Sequence, residues 1–291
     1  MRNSVANEIK KIAKQDKSLF VISGDAGLGV WDDFNTSEQF INPGVNEQLD
    51  VGFAAGMALM GHKVIYYNIA PFVIMRPYEF VRNDICYQEL PVILVGTGSG
   101  ITYAPAGMTH YVVEDITLAS TMPNLDIFSP ADPVEAVACF NYAYASKKPS
   151  YIRIAKNGED VIHKEEIDIT KPIFIHRSSS KHILLLHGSI VDEVSKILEI
   201  VDLNIVSVPM LTSDFDWEEF LSAFDKAFTL EEHFINGGFG TILKDKCDKK
   251  IHKFGLKNEY IHKIGNRDYL RKYYGIDGKI IGQKIEEITK G

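Results

Sequence analysis

Short, continuously apolar runs rich in β-branched residues alternate with longer stretches of helical periodicity, and this alternation restricts the fold more than any other feature of the chain. Leu19–Ile22, Val64–Tyr67, Val92–Val95, Asp126–Phe128 and Tyr151–Ile154 read as strands, as do Ile183–Leu186, Ile205–Val208 and Ala227–Leu230. Strands without an alternating polar face are covered on both sides, which is the pattern of parallel sheets joined by crossover helices. One helix start is explicit: Asp132 as N-cap, Pro133 in the first turn and Glu135 as a capping-box acid precede AVACFNYAYA. The predicted fold class is α/β, two domains with mainly parallel sheets flanked by helices. With 291 residues and roughly 150 per domain, two domains are expected. The polar stretch at 156–180 marks the boundary, giving domains at 1–170 and 175–291.

Charge narrows the function. Lys plus Arg is 31 against 39 for Asp plus Glu, a net charge of −8. This balance argues against a nucleic-acid groove or an anionic membrane as the main partner. Cys86, Cys139 and Cys247 are far apart and form no CxxC pair, so neither a zinc site nor a disulfide framework is expected and a reducing compartment fits. Val5, Ile9, Ile12 and Ala13 lie at helical spacing with lysines between them. That marks a domain helix, because no apolar h-region follows. The most apolar stretch, Val51 to Met60, has about half the length of a membrane span. The expected location is the cytoplasm.

Two glycine clusters, Gly24–Gly29 and Gly96–Gly100, follow strands but spell neither GxGxxG nor a P-loop, and read as tight turns at strand ends. Ser99 is not in a nucleophile-elbow register, which fails at Thr97. Glu231-Glu232-His233 is too compact for a zinc helix and reads as a strand end running into the Gly237–Gly240 turn. More informative is Asn42 to Met57, where a turn leads into a helix with a Gly/Ala face. Glu47 sits in its first turn, a place where an acid also serves the helix dipole.

With its surroundings, that segment resembles the transketolase family of thiamine diphosphate enzymes. GVNEQLDVGFAAGMAL is similar to the stretch carrying the family's cofactor-activating glutamate. GMTHYVVEDITLASTMPNLDIFSPADPVEA resembles its Thr-His, Glu-Asp and Pro-Ala-Asp stretch. PSYIRIAK resembles the strand with its phosphate-binding arginine, and EEHFINGGFG resembles a C-terminal-domain turn. The four matches follow the family order over nearly the whole chain. The family's diphosphate domain, with its GDG motif and downstream asparagine, has no counterpart beyond Gly24-Asp25-Ala26. The resemblance therefore implies a C-terminal half, made of a pyrimidine-binding domain and a C-terminal domain. The diphosphate and its Mg²⁺ would sit on an N-terminal-half partner, and this chain would carry no metal.

The resemblance also assigns roles. Glu47 would hydrogen-bond the aminopyrimidine and promote its imino form, while the Val45 carbonyl accepts from the amino group. Phe72, Met75 and Tyr78, at i, i+3 and i+6, would line the pyrimidine slot, with ordinary helix core as the alternative. Asp25 would line the cofactor pocket or cap a turn. His110 would shuttle protons at the reacting carbons. Arg2 and Arg153 would hold a substrate phosphate, with surface ion pairing as the alternative. Gly52, Ala54, Ala55 and Gly56 would let another backbone approach, in a homodimer contact and a two-plus-two heterotetramer.

Departures affect the substrate. Family histidine, aspartate and serine positions near the sugar align with Gly98, Ala106 and Gly29. The expected function is transfer of a two-carbon ketol unit between a ketose and an aldose. The β chain of a 2-oxoacid dehydrogenase, a deoxyxylulose-phosphate-synthase-like enzyme and a non-catalytic scaffolding half stand as alternatives.

Overall fold

Eleven strands sort into two sheets in the computed structural model, which describes residues 1–24, 26–156 and 158–290. The first sheet contains β1 (Leu19–Ile22), β2 (Phe40–Ile41), β3 (Lys63–Ile69), β4 (Val92–Thr97), β5 (Asp126–Phe128) and β6 (Ser150–Ile154). Its order is β2-β1-β3-β4-β6-β5, and every pairing is parallel. Helices α1 (Arg2–Gln15), α2 (Glu47–Leu59), α3 (Ala70–Ile74), α4 (Tyr78–Phe80), α5 (Asp115–Ser120) and α6 (Pro133–Ser146) accompany it, with a π-helical turn at Val81–Cys86.

Side chains leave a strand on alternate faces, and the two faces meet different helices. Val64 and Tyr66 of β3 pack with Val51, Ala54 and Ala58 of α2. Ile65 and Tyr67 pack with Val5 and Ile9 of α1 and Phe140 of α6. Both faces are therefore buried, and each enclosed Val, Ile or Leu contributes roughly 1.5–3 kcal/mol.

The second sheet holds β7 (Ile173–His176), β8 (His182–Leu186), β9 (Asn204–Ser207), β10 (Lys226–Phe234) and β11 (Ile251–Leu256), in the order β11-β10-β8-β9-β7. Only β7 runs antiparallel, against β9. Around it lie a 3₁₀ turn (Gly188–Glu193) and helices α7 (Val194–Leu198), α8 (Trp217–Ser222), α9 (Phe239–Lys244), α10 (Arg267–Tyr273) and α11 (Gly278–Lys290). Among the described residues no helix is long and apolar enough to cross a membrane.

Three strands escape a reading by continuous apolar runs. β2 has two residues, β11 is an edge strand interspersed with polar side chains, and β7 is a short half-buried edge strand, Ile-Phe-Ile-His. β7 lies inside the charged stretch that marks the boundary in sequence. At α6 the Asp132 carboxylate accepts from the Glu135 N–H at 2.7 Å. Glu135 reaches one residue further back than a capping box does, accepting from Ala131 N–H at 2.6 Å and pairing with His163 at 2.8 Å. The Gly/Ala face of α2 also needs correction: Ala54 and Ala55 face the chain's own core. The outward face instead carries Leu49 and Phe53, which are 61% and 42% exposed, with Gly56.

Candidate active site

In a parallel sheet all carboxyl ends emerge on one edge, and the segments that follow them build the site. Here that edge gathers Gly24 after β1, α3 after β3, Gly98 after β4 and Lys156 after β6. A Cβ at Gly24 would lie 2.3 Å from the Gly44 carbonyl oxygen, so only glycine lets the end of β1 press against the turn before α2. This close approach sets the first residue of α2, Glu47, at the carboxyl edge.

Glu47 is only 4% exposed, and its Oε1 accepts from Arg76 Nη1 at 2.5 Å. The Arg76 guanidinium lies 4.1 Å above the Phe72 ring, a cation–π contact that fixes it between acid and aromatic. The Phe72 ring meets His110 edge-on at 5.8 Å between centroids. Glu47, Arg76, Phe72 and His110 thus form one connected chain of contacts. One helical turn beyond Glu47, Asp50 is wholly buried, and neither carboxylate oxygen has a hydrogen-bond partner. Burial first, and then the Glu47 charge, push its carboxyl up to about 6.

His110 continues the line. Its Nδ1 is 2.9 Å from Thr109 Oγ1, and its ring stands 5.8 Å from that of Tyr103. Tyr103 lies against Gly98, where φ is +93° and a Cβ would come within 2.0 Å of the ring. Lys156 Nζ sits 4.5 Å over the same ring. Burial raises the Tyr103 hydroxyl, and the Arg2 charge pulls it back down, which puts Arg2 within electrostatic reach. Arg2 and Lys156 therefore both act on the Tyr103 ring beside His110.

Of the remaining assigned residues, Val45 lies before α2 and is 61% exposed, and Met75 lies just after α3 at the surface. The Tyr78 hydroxyl is engaged with Thr121 Oγ1 at 2.6 Å, and its ring packs on the core. The structure links Phe72 to Glu47 and gives Tyr78 a different neighbour. Asp25 lies outside the described residues. Arg76, Asp50, Tyr103 and Lys156 were not singled out by sequence. Arg76 follows Phe72–Met75 in the same segment, and Asp50 falls on the Glu47 face at i+3; these spacings were the available signals.

Arg153 requires a correction. It is 2% exposed and each of its three nitrogens is engaged inside the protein: Nε donates to Asp115 Oδ2 at 2.7 Å, Nη1 to Ser129 Oγ at 3.3 Å and Nη2 to the Val112 carbonyl at 3.3 Å. Tyr151 donates to the same Asp115 oxygen at 2.8 Å. Arg153 is therefore buried and spent on groups, Asp115 and Ser129, that themselves adjoin His233 and His187 beside the second sheet. The seam between the two sheets runs through His187 to Ser129 (2.8 Å) and Glu232 to the Ile101 N–H (2.9 Å). Burial lowers the basicity of His187 and His233, keeping both imidazoles neutral. Although burial alone would raise it, Arg267 and Arg271 hold Glu232 down at about 2.

A parallel α/β domain with a buried acid, an aromatic ring and a histidine at the carboxyl edge of its sheet has the layout in which open α/β sheets place their ligand sites. The model of the transketolase pyrimidine-binding domain matches residues 1–158. One of the component chains of the apulose-4-phosphate transketolase of Actinobacillus succinogenes is 33% identical over 258 residues, covering 84% of this chain and 83% of that protein. A putative transketolase C-terminal section of Methanocaldococcus jannaschii is 29% identical over 305 residues, covering 100% and 96%. 1-Deoxy-D-xylulose-5-phosphate synthase 2 of Geobacter sulfurreducens is 27% identical, and the match covers 97% of this chain but 48% of that protein. Among solved structures, a split gene transketolase described as an inactive beta4 tetramer superimposes with a TM-score of 0.84 at 21% identity, covering 98% of this chain and 96% of that one. The transketolase of Campylobacter jejuni superimposes at 0.82 and 19% identity, with 46% of its length covered. The chain belongs to the transketolase family, and it corresponds to the C-terminal half of the longer members.

Proposed function

We propose that this chain is one half of a two-component transketolase-type enzyme, transferring a two-carbon ketol unit from a phosphorylated ketose to an aldose with thiamine diphosphate. The observation that carries the reading is the burial of Glu47 at the carboxyl edge of the first sheet, joined through Arg76 and Phe72 to His110. Residues 1–170 act as the pyrimidine-binding domain and 175–291 as the C-terminal domain.

The residues present fit the cofactor: a buried carboxyl, an aromatic ring beside it and an unpartnered second acid at Asp50. When bound, thiamine diphosphate supplies the carbanion chemistry that carries the two-carbon unit. Glu47 holds a proton against the pyrimidine ring nitrogen, with Asp25, the Val45 carbonyl, Phe72 and Met75 as further contacts. His110 moves protons at the substrate oxygens. Arg2 and Lys156, both acting on Tyr103, attract a substrate phosphate. The diphosphate and Mg²⁺ belong to an N-terminal-half partner, and two copies of each chain assemble through the outward face of α2. Support for such an arrangement comes from relatives named as separate pieces of a transketolase.

Co-purification with a candidate N-terminal-half protein, followed by a ketol-transfer assay over a panel of sugar phosphates, tests the reading. Transfer that requires both chains is expected. Decarboxylation of 2-oxoacids without ketol transfer would overturn it in favour of a dehydrogenase-type or deoxyxylulose-phosphate-synthase-like reaction.

A further inference from the structure

We propose that Asp50 is a positioning residue for Glu47: a second buried carboxyl, one helical turn on, whose negative charge favours the protonated form of Glu47. The inference rests on the functional reading of Glu47 given above, and it concerns a residue to which that reading gives no step.

Three observations converge on it. Residues three apart on a helix are neighbours, with Cβ atoms about 5–6 Å apart, so Asp50 shares the buried face of α2 with Glu47. Both Asp50 oxygens are enclosed and unpartnered. The other polar and charged groups on the elements packed against α2 do not neutralise it. Tyr66 of β3 lies nearest: its hydroxyl accepts from Asn68 and sits 3.5 Å from the Phe72 carbonyl, and its pull on Asp50, which lowers the carboxyl, is outweighed by burial. Asp84 of the π-helical turn is a further acid, and Glu79 and Arg82 are exposed. Arg76 is bonded to Glu47.

A buried acid without a donor is destabilising, and such breaches of ordinary packing logic concentrate at functional sites. Coulomb repulsion is reciprocal: the charge on Glu47 raises Asp50, and an ionised Asp50 equally opposes ionisation of Glu47. Arg76 acts in the opposite sense, but its side chain is 42% exposed and free to exchange its partner. Asp50 is enclosed and fixed. Glu47 is thus flanked by an enclosed acid within the helix and a removable cation outside it.

Carboxyl ¹³C NMR titration of the purified chain alone, without cofactor, reads the coupling directly. The Asp50 resonance is expected to titrate near 6 and to move down by about 0.5–1 pH unit in Glu47→Gln. In the enzyme assembled with its N-terminal-half partner, the alkaline limb of deuterium exchange at C2 of thiamine diphosphate is expected to move to lower pH by a similar amount in Asp50→Asn. Asp50→Glu should restore it, and Asp50→Leu should behave as Asp50→Asn if either variant folds poorly. An Asp50 titration unmoved by Glu47→Gln, or an alkaline limb unmoved by both neutral variants, overturns the proposal. A wild-type assembly with no C2 exchange overturns the transketolase reading instead, and the titration of the free chain then decides this one.

Discussion

Arg153→Met separates a structural arginine from a substrate-binding one. The substitution keeps an apolar stem of similar reach and removes three donors, leaving Asp115 with Tyr151 as its remaining hydrogen-bond donor and stripping Ser129 and the Val112 carbonyl of a partner. Removing one member of a buried ion pair costs about 3–5 kcal/mol, because the other charge stays enclosed and uncompensated. For a chain of this size each kcal/mol corresponds to about 2–4 °C, so the melting temperature should fall by about 10 °C. Asp115→Asn added to Arg153→Met removes the stranded charge while keeping an acceptor for Tyr151, and should return at least about 1 kcal/mol. Differential scanning calorimetry of the wild type and the two variants measures both numbers. In the assembled enzyme, Arg153→Met assayed well below its melting point should keep the wild-type KM for sugar phosphates. A variant as stable as wild type with KM raised about tenfold would refute the reasoning and return Arg153 to the substrate site.

Glu47→Gln should leave the melting temperature within about 2 °C of wild type and slow deuterium exchange at C2 of the bound cofactor by at least ~10²-fold, because an amide cannot exchange the proton. Phe53→Asp, on the outward face of α2, should leave the chain folded by circular dichroism and abolish co-purification with the N-terminal-half partner, whereas Ala55→Trp should unfold it by overpacking the core. Asp50 binds a proton in the folded chain up to about 6 and in the unfolded chain only to 3.8, so stability falls as pH rises between those values. Asp50→Leu should therefore gain up to about 3 kcal/mol at pH 8 in urea unfolding and nothing from this source below pH 4, the ceiling being about two pK units at ~1.4 kcal/mol each. Lys156→Met should raise KM for phosphorylated substrates several-fold with kcat little changed, read in the ketol-transfer assay.

How much of this was legible in sequence follows from how each feature is encoded. Buried parallel strands announce themselves by continuous apolar runs, and all eight that were read appear as strands. The edge strand β11 carries polar residues because one side faces solvent, and β7 is a short run set inside a charged stretch, so a rule built on long buried runs misses both. Glu47 and His110 sit in local motifs that drew attention to them, and the structure joins them through Arg76 and Phe72. Arg153 was misassigned because a motif fixes a position on a strand and not the direction in which the side chain is spent. Its partner Asp115 lies 38 residues away, and nothing local to PSYIRIAK reports that the pair is enclosed. Asp50 was hidden by composition: an acid three residues after another acid looks like an ordinary polar helix start until the fold shows it walled in. Lys156 and Tyr103 come together only across the crossover from β4 to β6.

The seam has a mechanical consequence. Parting the two sheets would strand Asp115, Arg153, His187, Glu231, Glu232 and His233, all of them enclosed, with no solvent path prepared for any one of them. An opening motion would break together the bonds that cross the divide, Ile101 N–H to Glu232, Ile116 N–H to His233 and His187 to Ser129. The two domains are consequently expected to travel as a single rigid lever. A motion that opens the carboxyl edge of the first sheet must then leave this seam closed, with the residues on both sides of it moving as one piece.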